Sequence, residues 1–408
     1  MNDTALAALH RARPMLHGIV TAGEALGLGH DTLLHAGPPL ARPEAPCAPL
    51  AASLELALVH DRGIDAAAAN ALIIGRGVEL APAQSFGVAT PLAHVVSAAT
   101  PLWRVRSGND MGYAPLGAVG GPDLRVGKRD PVILERLRDR DLRLRPVLEA
   151  ALALEGPIDL LEIALGGLAA GDDLHASSVH ATGLLAAELH RRLRLCGPAL
   201  EAQRVWLAES LARTPLFFLT PWMAACRAMA AGMEATGEGT LVTRLAGNGE
   251  AVGIALSGNA QTWHCLPATA PVGPRLPGVS VDAPVLGAIG DSGIVDALGF
   301  GGMVLHLAGD TRPQLEPFLA PDTPSDLQAL LCQSHPALAA IGARSGLDAQ
   351  QVVSRRLAPA VAISMLDAGG TLGILGRGIF RPPVALFEAA LAEPLLAGAP
   401  LARILAKG

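Results

Sequence analysis

The spacing of apolar positions divides the 408 residues into three textures. In the first, "TLLHA" runs into a Gly-Pro-Pro turn and reads as a short strand. Leu50, Leu54, Leu56 and Leu58 in "PLAASLELALVHDRG" recur at helical spacing, and "DAAAANALIIGRG" gives a second helix that ends at glycine. "VELAP" is again a strand, and strand, helix and strand in this order predict an α/β layer. From Phe86 to Arg106, β-branched residues alternate with Pro and Gly, which predicts two short strands with loops.

The second texture begins at Asp130, a plausible N-cap with Pro131 at the first helical position and Leu at helical spacing amid many charges. These charges predict a solvated helix face laced with ion pairs. Helical patterns continue through "PIDLLEIALGGLAAG", "HATGLLAAELHRRLRL", "ALEAQRVWLAESLAR" and "PWMAACRAMAAGMEAT", so residues 130–236 are expected to form a mostly helical block. Cys226, on the apolar last of these helices, is expected in the core.

In the third texture, "GTLVTRLAGNGEAVGIALSG" is a β-hairpin with a strong Gly-Asn-Gly turn signal, and "TWHCLPA" continues the sheet. Asp322 to Leu331 and "SGLDAQQVVSRRL" predict helices. "AVAISMLDAGGTLGILGRGIF" predicts a strand and a glycine-rich turn, and "PVALFEAALAEPLL" a C-terminal helix. The expected fold class is α+β (mixed α/β) with several domains: an N-terminal α/β domain at 1–129, the helical block at 130–236, and a C-terminal α+β domain with glycine-rich loops at 237–408.

Composition narrows the function. Half of the chain is hydrophobic and 17% charged, which predicts a large core and apolar surface to be covered by a homo- or hetero-oligomer. A net charge of −6 gives no general attraction to nucleic acid or an anionic membrane, and with 3% aromatics there are few platforms for stacking bases. "MNDTALAALHRARP" lacks the apolar stretch of a signal peptide. The longest uncharged run, Leu80 to Trp103, is broken by Pro82, Pro91 and Pro101 and is a poor membrane span. The five cysteines, Cys47, Cys196, Cys226, Cys265 and Cys332, are scattered and form no CxxC pair. A reduced, cytoplasmic protein without a disulfide framework, bound metal or cofactor is the expectation.

The stretch "GDSGIVDALGFGG", Gly290 to Gly302, opens with the nucleophile motif of trypsin-like proteases. That motif needs a histidine base, an aspartate orienter and an all-β double barrel, whereas this chain is rich in helical patterns and places no histidine in a matching context. The expected structure is a loop that turns into a helix, with Asp291 or Ser292 as N-cap and Gly299, Gly301 and Gly302 letting the backbone approach a ligand. Free N–H groups at such an end favour anions, although an ordinary cap and turn accounts for the same residues. In "GDDLHASSVH", Asp172 and His175 share a helical face at i and i+3, as a metal pair or, more commonly, as part of a capped helix start. Asn248-Gly249 is first of all a hairpin turn, and His35 ends a strand just before Gly37, where α/β proteins place site residues. Arg377, a lone arginine in the glycine-rich "GILGRGIF", predicts an anion partner.

Taken in order, "LLHAGPP", "GD-x-x-H", "FFL" before the cysteine-bearing helix, "NG-x-x-x-GI-x-x-SG" followed by Trp263, "GDS-x-I…G-x-GG" and "AG…G…G-x-G…P-x-A-x-FE-x-AL" resemble the YlbE-like family, which includes the AllG subunit of oxamate carbamoyltransferase. The likeness runs from about Leu33 to Leu391. It implies a subunit of a multi-subunit carbamoyltransferase-like enzyme in purine and allantoin nitrogen catabolism, exchanging oxamate and carbamoyl phosphate for carbamoyl-oxamate and phosphate. The expected substrate is carbamoyl phosphate or a small amide or carboxylate. The catalytic candidates are then His35, His175 and Asp291, and the substrate-binding candidates Gly37, Asp172, Asn248, Gly249, Ser292, Gly299, Gly301, Gly302 and Arg377. Their loops are expected to converge on one pocket. The chain departs from the family pattern at Gln84-Ser85, "TPLAH", Ser177-Ser178, Thr220 and Met365-Leu366-Asp367. These departures keep two alternatives open: a non-catalytic structural companion of an active paralogue, and a hydrolase of a small amide.

Overall fold

The structure, a computed structural model, describes residues 2–195, 197–309 and 311–392 and is of mixed α+β class. Helix α1 (Asp3–Arg11) leads into β1 (Met15–Thr21), the short α2 (Ala22–Leu26) and β2 (Thr32–His35). Helices α3 (Ala48–Arg62) and α4 (Ala66–Ile74) return the chain to β3 (Glu79–Pro82), which pairs parallel with β2 from Thr32–Glu79 to His35–Pro82. This is the α/β layer that the periodicity predicts.

Between Phe86 and Arg106 only one strand forms, β4 (Pro101–Ser107), where two were expected. The segment before it spends its polar groups elsewhere: the Thr90 N–H and hydroxyl both donate to the Asp291 carboxylate, so Thr90 makes no ladder hydrogen bond. Strand β5 (Asp110–Pro115) follows β4, and β6 (Ile158–Asp159) closes an antiparallel sheet of order β5-β4-β1-β6.

Asp130 caps α5 (Pro131–Asp139) by accepting from the Val132 N–H at 3.1 Å, with proline in the first turn as expected. The helix then passes through a π-type turn, Arg140–Leu144, into α6 (Arg145–Ala153). Pro146 has no N–H to give to a carbonyl four residues back, and the wider turn falls just before it. Helices α7 (Leu160–Ala169), α8 (Val179–Leu195), α9 (Glu201–Ala212) and α10 (Leu219–Glu234) complete this helical stretch.

Strands β7 (Val242–Asn248) and β8 (Ala251–Leu256) form the hairpin, with β9 (Asn259–Pro267) and β10 (Ile289–Gly290) at the two sides in the order β10-β7-β8-β9. The Asn248 Oδ1 accepts from the N–H groups of Glu250 and Ala251, and Gly249 takes φ +89°. A short helix α11 (Gly293–Ala297) follows, then α12 (Arg312–Leu315) and α13 (Pro324–Gln328). Helix α13 is shorter than expected because Leu331 already begins β11 (Leu331–Ser334), which pairs with β12 (Arg344–Leu347). Asp348 caps α14 (Ala349–Arg355). "AVAISMLDAGGTLGILGRGIF" is a full hairpin, β13 (Val361–Leu366) and β14 (Ile374–Phe380), so Arg377 stands on a strand and not in a loop. The Asp367 carboxylate organises the loop between them by accepting from the N–H groups of Gly369, Thr371 and Leu372. Helix α15 (Val384–Ala392) is the C-terminal helix, and the end of its expected span, from Glu393, lies outside the described residues.

Helix α10 is buried from Leu219 to Ala230 and lies on β4 and β5. Trp103 donates to the Thr220 hydroxyl at 3.1 Å, and Trp222 packs edge-on against Phe300. Cys226 is fully buried there, and burial pushes its thiol well up. The contact is close because residue 112 of β5 is glycine: a Cβ there would overlap the Ala224 carbonyl oxygen and the Ala228 N–H of the helix backbone. Among the described residues, no helix is long and apolar enough to cross a membrane. Gly112→Ala is expected to force helix and sheet apart and to lower unfolding free energy by about 1–3 kcal/mol, read as a fall in the urea midpoint at unchanged slope.

Candidate active site

Three buried carboxylates organise the region around Ser292. The first is Asp291. Its Oδ1 accepts from the Gly37 N–H and the Gln84 side-chain amide, both at 3.0 Å. Its Oδ2 accepts from the Thr90 N–H and hydroxyl, both at 2.8 Å. Four donors fill the acceptor capacity of a carboxylate. Burial pushes its carboxyl up, against the pull of those donors. Asp291 therefore pins three segments together, and its neighbour Gly290, at φ +127°, would meet the Leu92 N–H at 2.8 Å if it carried a Cβ.

The second is Asp173, whose Oδ1 accepts from the N–H groups of His175, Ala176 and Ser177 and whose Oδ2 accepts from the Thr311 hydroxyl. Asp172 beside it accepts from the Ser177 hydroxyl at 3.0 Å and the Ala181 N–H at 2.8 Å, which ties the loop to the first turn of α8. This fixed loop presents His175.

The third is Asp296, on α11. Its Oδ2 lies 2.6 Å from His175 Nδ1, while its Oδ1 accepts from the N–H groups of Gly302 at 2.7 Å and Ala362 at 3.0 Å. Gly301 fits here because a Cβ would overlap the Asp296 carboxylate and touch His175. A carboxylate only accepts, so Nδ1 carries a proton, and in the neutral ring the other nitrogen, Nε2, is the acceptor.

His175 and Ser292 line a small cavity of about 50 Å³ together with Arg125, Arg377 and Ser364, closed by apolar residues including Leu92, Leu219 and Ile363. The Arg377 side chain makes no hydrogen bond or ion pair among the described residues, and the Arg125 Nε is buried without a partner. Ser292 sits at the N-cap position of α11 with no capping hydrogen bond from its side chain.

Of the residues expected to form a site, His175, Ser292 and Arg377 face this cavity. Asp291 and Gly37 stand behind Ser292, and Asn248 holds the same loop by donating to the Pro38 carbonyl at 3.0 Å. Gly249 turns the hairpin and gives its N–H to Ala288. Gly299 packs on β12, with its N–H on the Asp296 carbonyl. His35 is buried outside the cavity, its Nδ1 on the Ala36 carbonyl and its Nε2 without a partner. The glycine N–H groups expected to bind an anion are taken by the protein itself: Gly37 by Asp291, Gly301 by the Asp173 carbonyl and Gly302 by Asp296. The arginines are the donors left over. Sequence reasoning missed Arg125, Ser364 and Asp296, and of these only Asp296 carried a signal, standing one helical turn after Ser292. Among the described residues, no three His, Cys, Asp or Glu side chains cluster as a metal site requires.

The sequence profile of a family described as "Oxamate carbamoyltransferase subunit AllG" matches residues 78–292. The chain belongs to the AllG family. The matched span contains Arg125, His175 and Ser292 and stops short of Asp296 and Arg377. The AllG subunit of Escherichia coli K12 is 28% identical over 408 residues, covering 96% of each chain. The uncharacterized protein YahG of the same organism is 30% identical over 407 residues, covering 96% of this chain and 84% of its own. A conserved protein of unknown function from Enterococcus faecalis V583 shares the fold, with a TM-score of 0.86 at 24% identity over 96% of both chains.

Burial lowers His35 and His94 from the ordinary 6.5 to about 4. Unfolded, both take a proton near pH 6.5; folded, only near pH 4. Their stabilisation is present above 6.5 and lost as the pH falls through about 4, at up to about 3 kcal/mol each. Urea midpoints measured from pH 7 to 4.5 should fall, and His35→Gln should flatten the curve.

Proposed function

We propose that this chain is a subunit of a carbamoyltransferase of the oxamate type and that the cavity holds the anionic end of its substrate. The observation that carries this reading is the pair Arg125 and Arg377, turned onto one small cavity without protein counterions, in front of an imidazole held by a carboxylate. The Arg125 Nε is buried there without a partner, and the guanidinium fork of an arginine fits phosphate or carboxylate. In carbamoyl transfer the carbonyl oxygen gains negative charge as a nucleophile adds. Cations placed at that oxygen and at the leaving phosphate stabilise the transition state. Nε2 of His175 receives the proton given up by the attacking group.

The name of the Escherichia coli relative supports assembly with other subunits. So does an apolar groove of about 370 Å³ between α8 and α9, lined by Val179, Ala186, Leu207 and Leu211. A purely structural companion has no use for unpaired cations inside a cavity, which favours the catalytic reading. A role in purine and allantoin nitrogen catabolism, in the cytoplasm, fits this chemistry.

Calorimetric titration with carbamoyl phosphate and with inorganic phosphate tests the reading. Arg377→Ala and Arg125→Ala are each expected to weaken binding by about 10- to 100-fold, the worth of a charge-assisted hydrogen bond. Equal affinity in the double variant counts against the anion site. Co-purified with candidate partner subunits, the chain should consume carbamoyl phosphate in an oxamate-dependent way.

A further inference from the structure

Ser292, at the N-cap of α11, and Asp296, on the helix, stand one helical turn apart, a spacing that puts two side chains on the same face with Cβ atoms about 5–6 Å apart. His175 comes from a distant loop and is anchored to Asp296 through Nδ1 at 2.6 Å. Its imidazole and the Ser292 side chain share the wall of one cavity. Ser292 is 2% exposed, yet its hydroxyl makes no hydrogen bond among the described residues. It is free to meet a ligand in the cavity whose wall it forms. Its position is fixed from both sides, by the four hydrogen bonds to Asp291 before it and by the two N–H groups that lock Asp296 after it.

We propose that Ser292 is a nucleophile that carries the transferred group covalently, with His175 as its base and Asp296 as the positioning residue of that base. The trypsin-like motif "GDSG" lacked a histidine and an all-β fold on sequence grounds, but such a set is recognised by geometry and role and not by fold. Here the base comes from the loop before α8 and the orienter from the nucleophile's own helix.

The choice of donor rests on the carbamoyl-transfer reading. Ser292 Oγ adds to the carbonyl carbon of carbamoyl phosphate, and His175 Nε2 takes the hydroxyl proton. The bond from that carbon to the phosphate oxygen breaks. Phosphate leaves with the proton from His175, held by Arg125 and Arg377, and a carbamoyl ester remains on Ser292. The oxamate amide nitrogen then attacks this ester, gives its proton to Nε2, and the proton returns to Oγ as the C–Oγ bond breaks. The enzyme ends as it began.

Two probes test this on the full chain: methanesulfonyl fluoride, and carbamoyl phosphate without acceptor followed by rapid quenching, each read by peptide mass spectrometry. One sulfonyl group and one carbamoyl group are expected on Ser292, and none in Ser292→Ala. His175→Ala should slow labelling by about a hundredfold or more. Asp296→Asn can keep the Gly302 and Ala362 hydrogen bonds on its oxygen while turning its NH2 toward His175. This forces the ring proton onto Nε2, so labelling should slow while the melting temperature stays near that of the native chain. Sulfonylation without carbamoylation supports the nucleophile and counts against carbamoyl phosphate as donor. Phosphate binding with Ser292 no more reactive than other serines, or equally reactive in His175→Ala, overturns the nucleophile and leaves the anion site standing.

Discussion

The Asp291 carboxylate takes hydrogen bonds from Gly37, Gln84 and Thr90, residues that lie 254, 207 and 201 positions away in the chain. A carboxylate buried this deeply is tolerable only with its acceptors filled, and the four donors that fill it come from three separate segments. The parallel β2–β3 layer, the segment before β4 and the start of α11 are thereby fixed to one atom group. Ser292 follows directly, so the orientation of the cavity wall is set by a group that does not itself face the cavity.

The same economy recurs at Asp173 and Asp296. Each is satisfied by backbone N–H groups, with a threonine hydroxyl or an imidazole as the added partner. None of them uses an arginine. Elsewhere the buried arginines are paired: Arg227 and Arg244 share Glu234, and Arg192 meets Glu188. Because backbone amides neutralise the carboxylates around the cavity, those carboxylates do not draw Arg125 and Arg377 into ion pairs. The glycines matter here by making room for these contacts, as Gly301 does against Asp296, and not by offering N–H groups to a ligand.

Local signals in the sequence foretold the elements they act on. The Asn248-Gly249 turn, the Asp130-Pro131 helix start and the strand-helix-strand order from Thr32 to Pro82 all depend on neighbours a few residues away. The strand that does not form near Thr90 and the placement of Arg377 on β14 depend on partners far along the chain. Periodicity does not report such pairings. The site shows the same division. His175, Ser292 and Arg377 stood out as chemical types in unusual contexts. Arg125 sits in an unremarkable run of charge, and Asp296 looked like one more residue of a short helix until His175 was found against it.

The size of the cavity has a consequence for timing. The space lined by Arg125, Arg377, His175 and Ser292 is small, about 50 Å³. On the proposed mechanism, donor and acceptor would use this space in turn, with the transferred group held on Ser292 while the first departs and the second enters. On that proposal the reaction is a relay with a stored intermediate state.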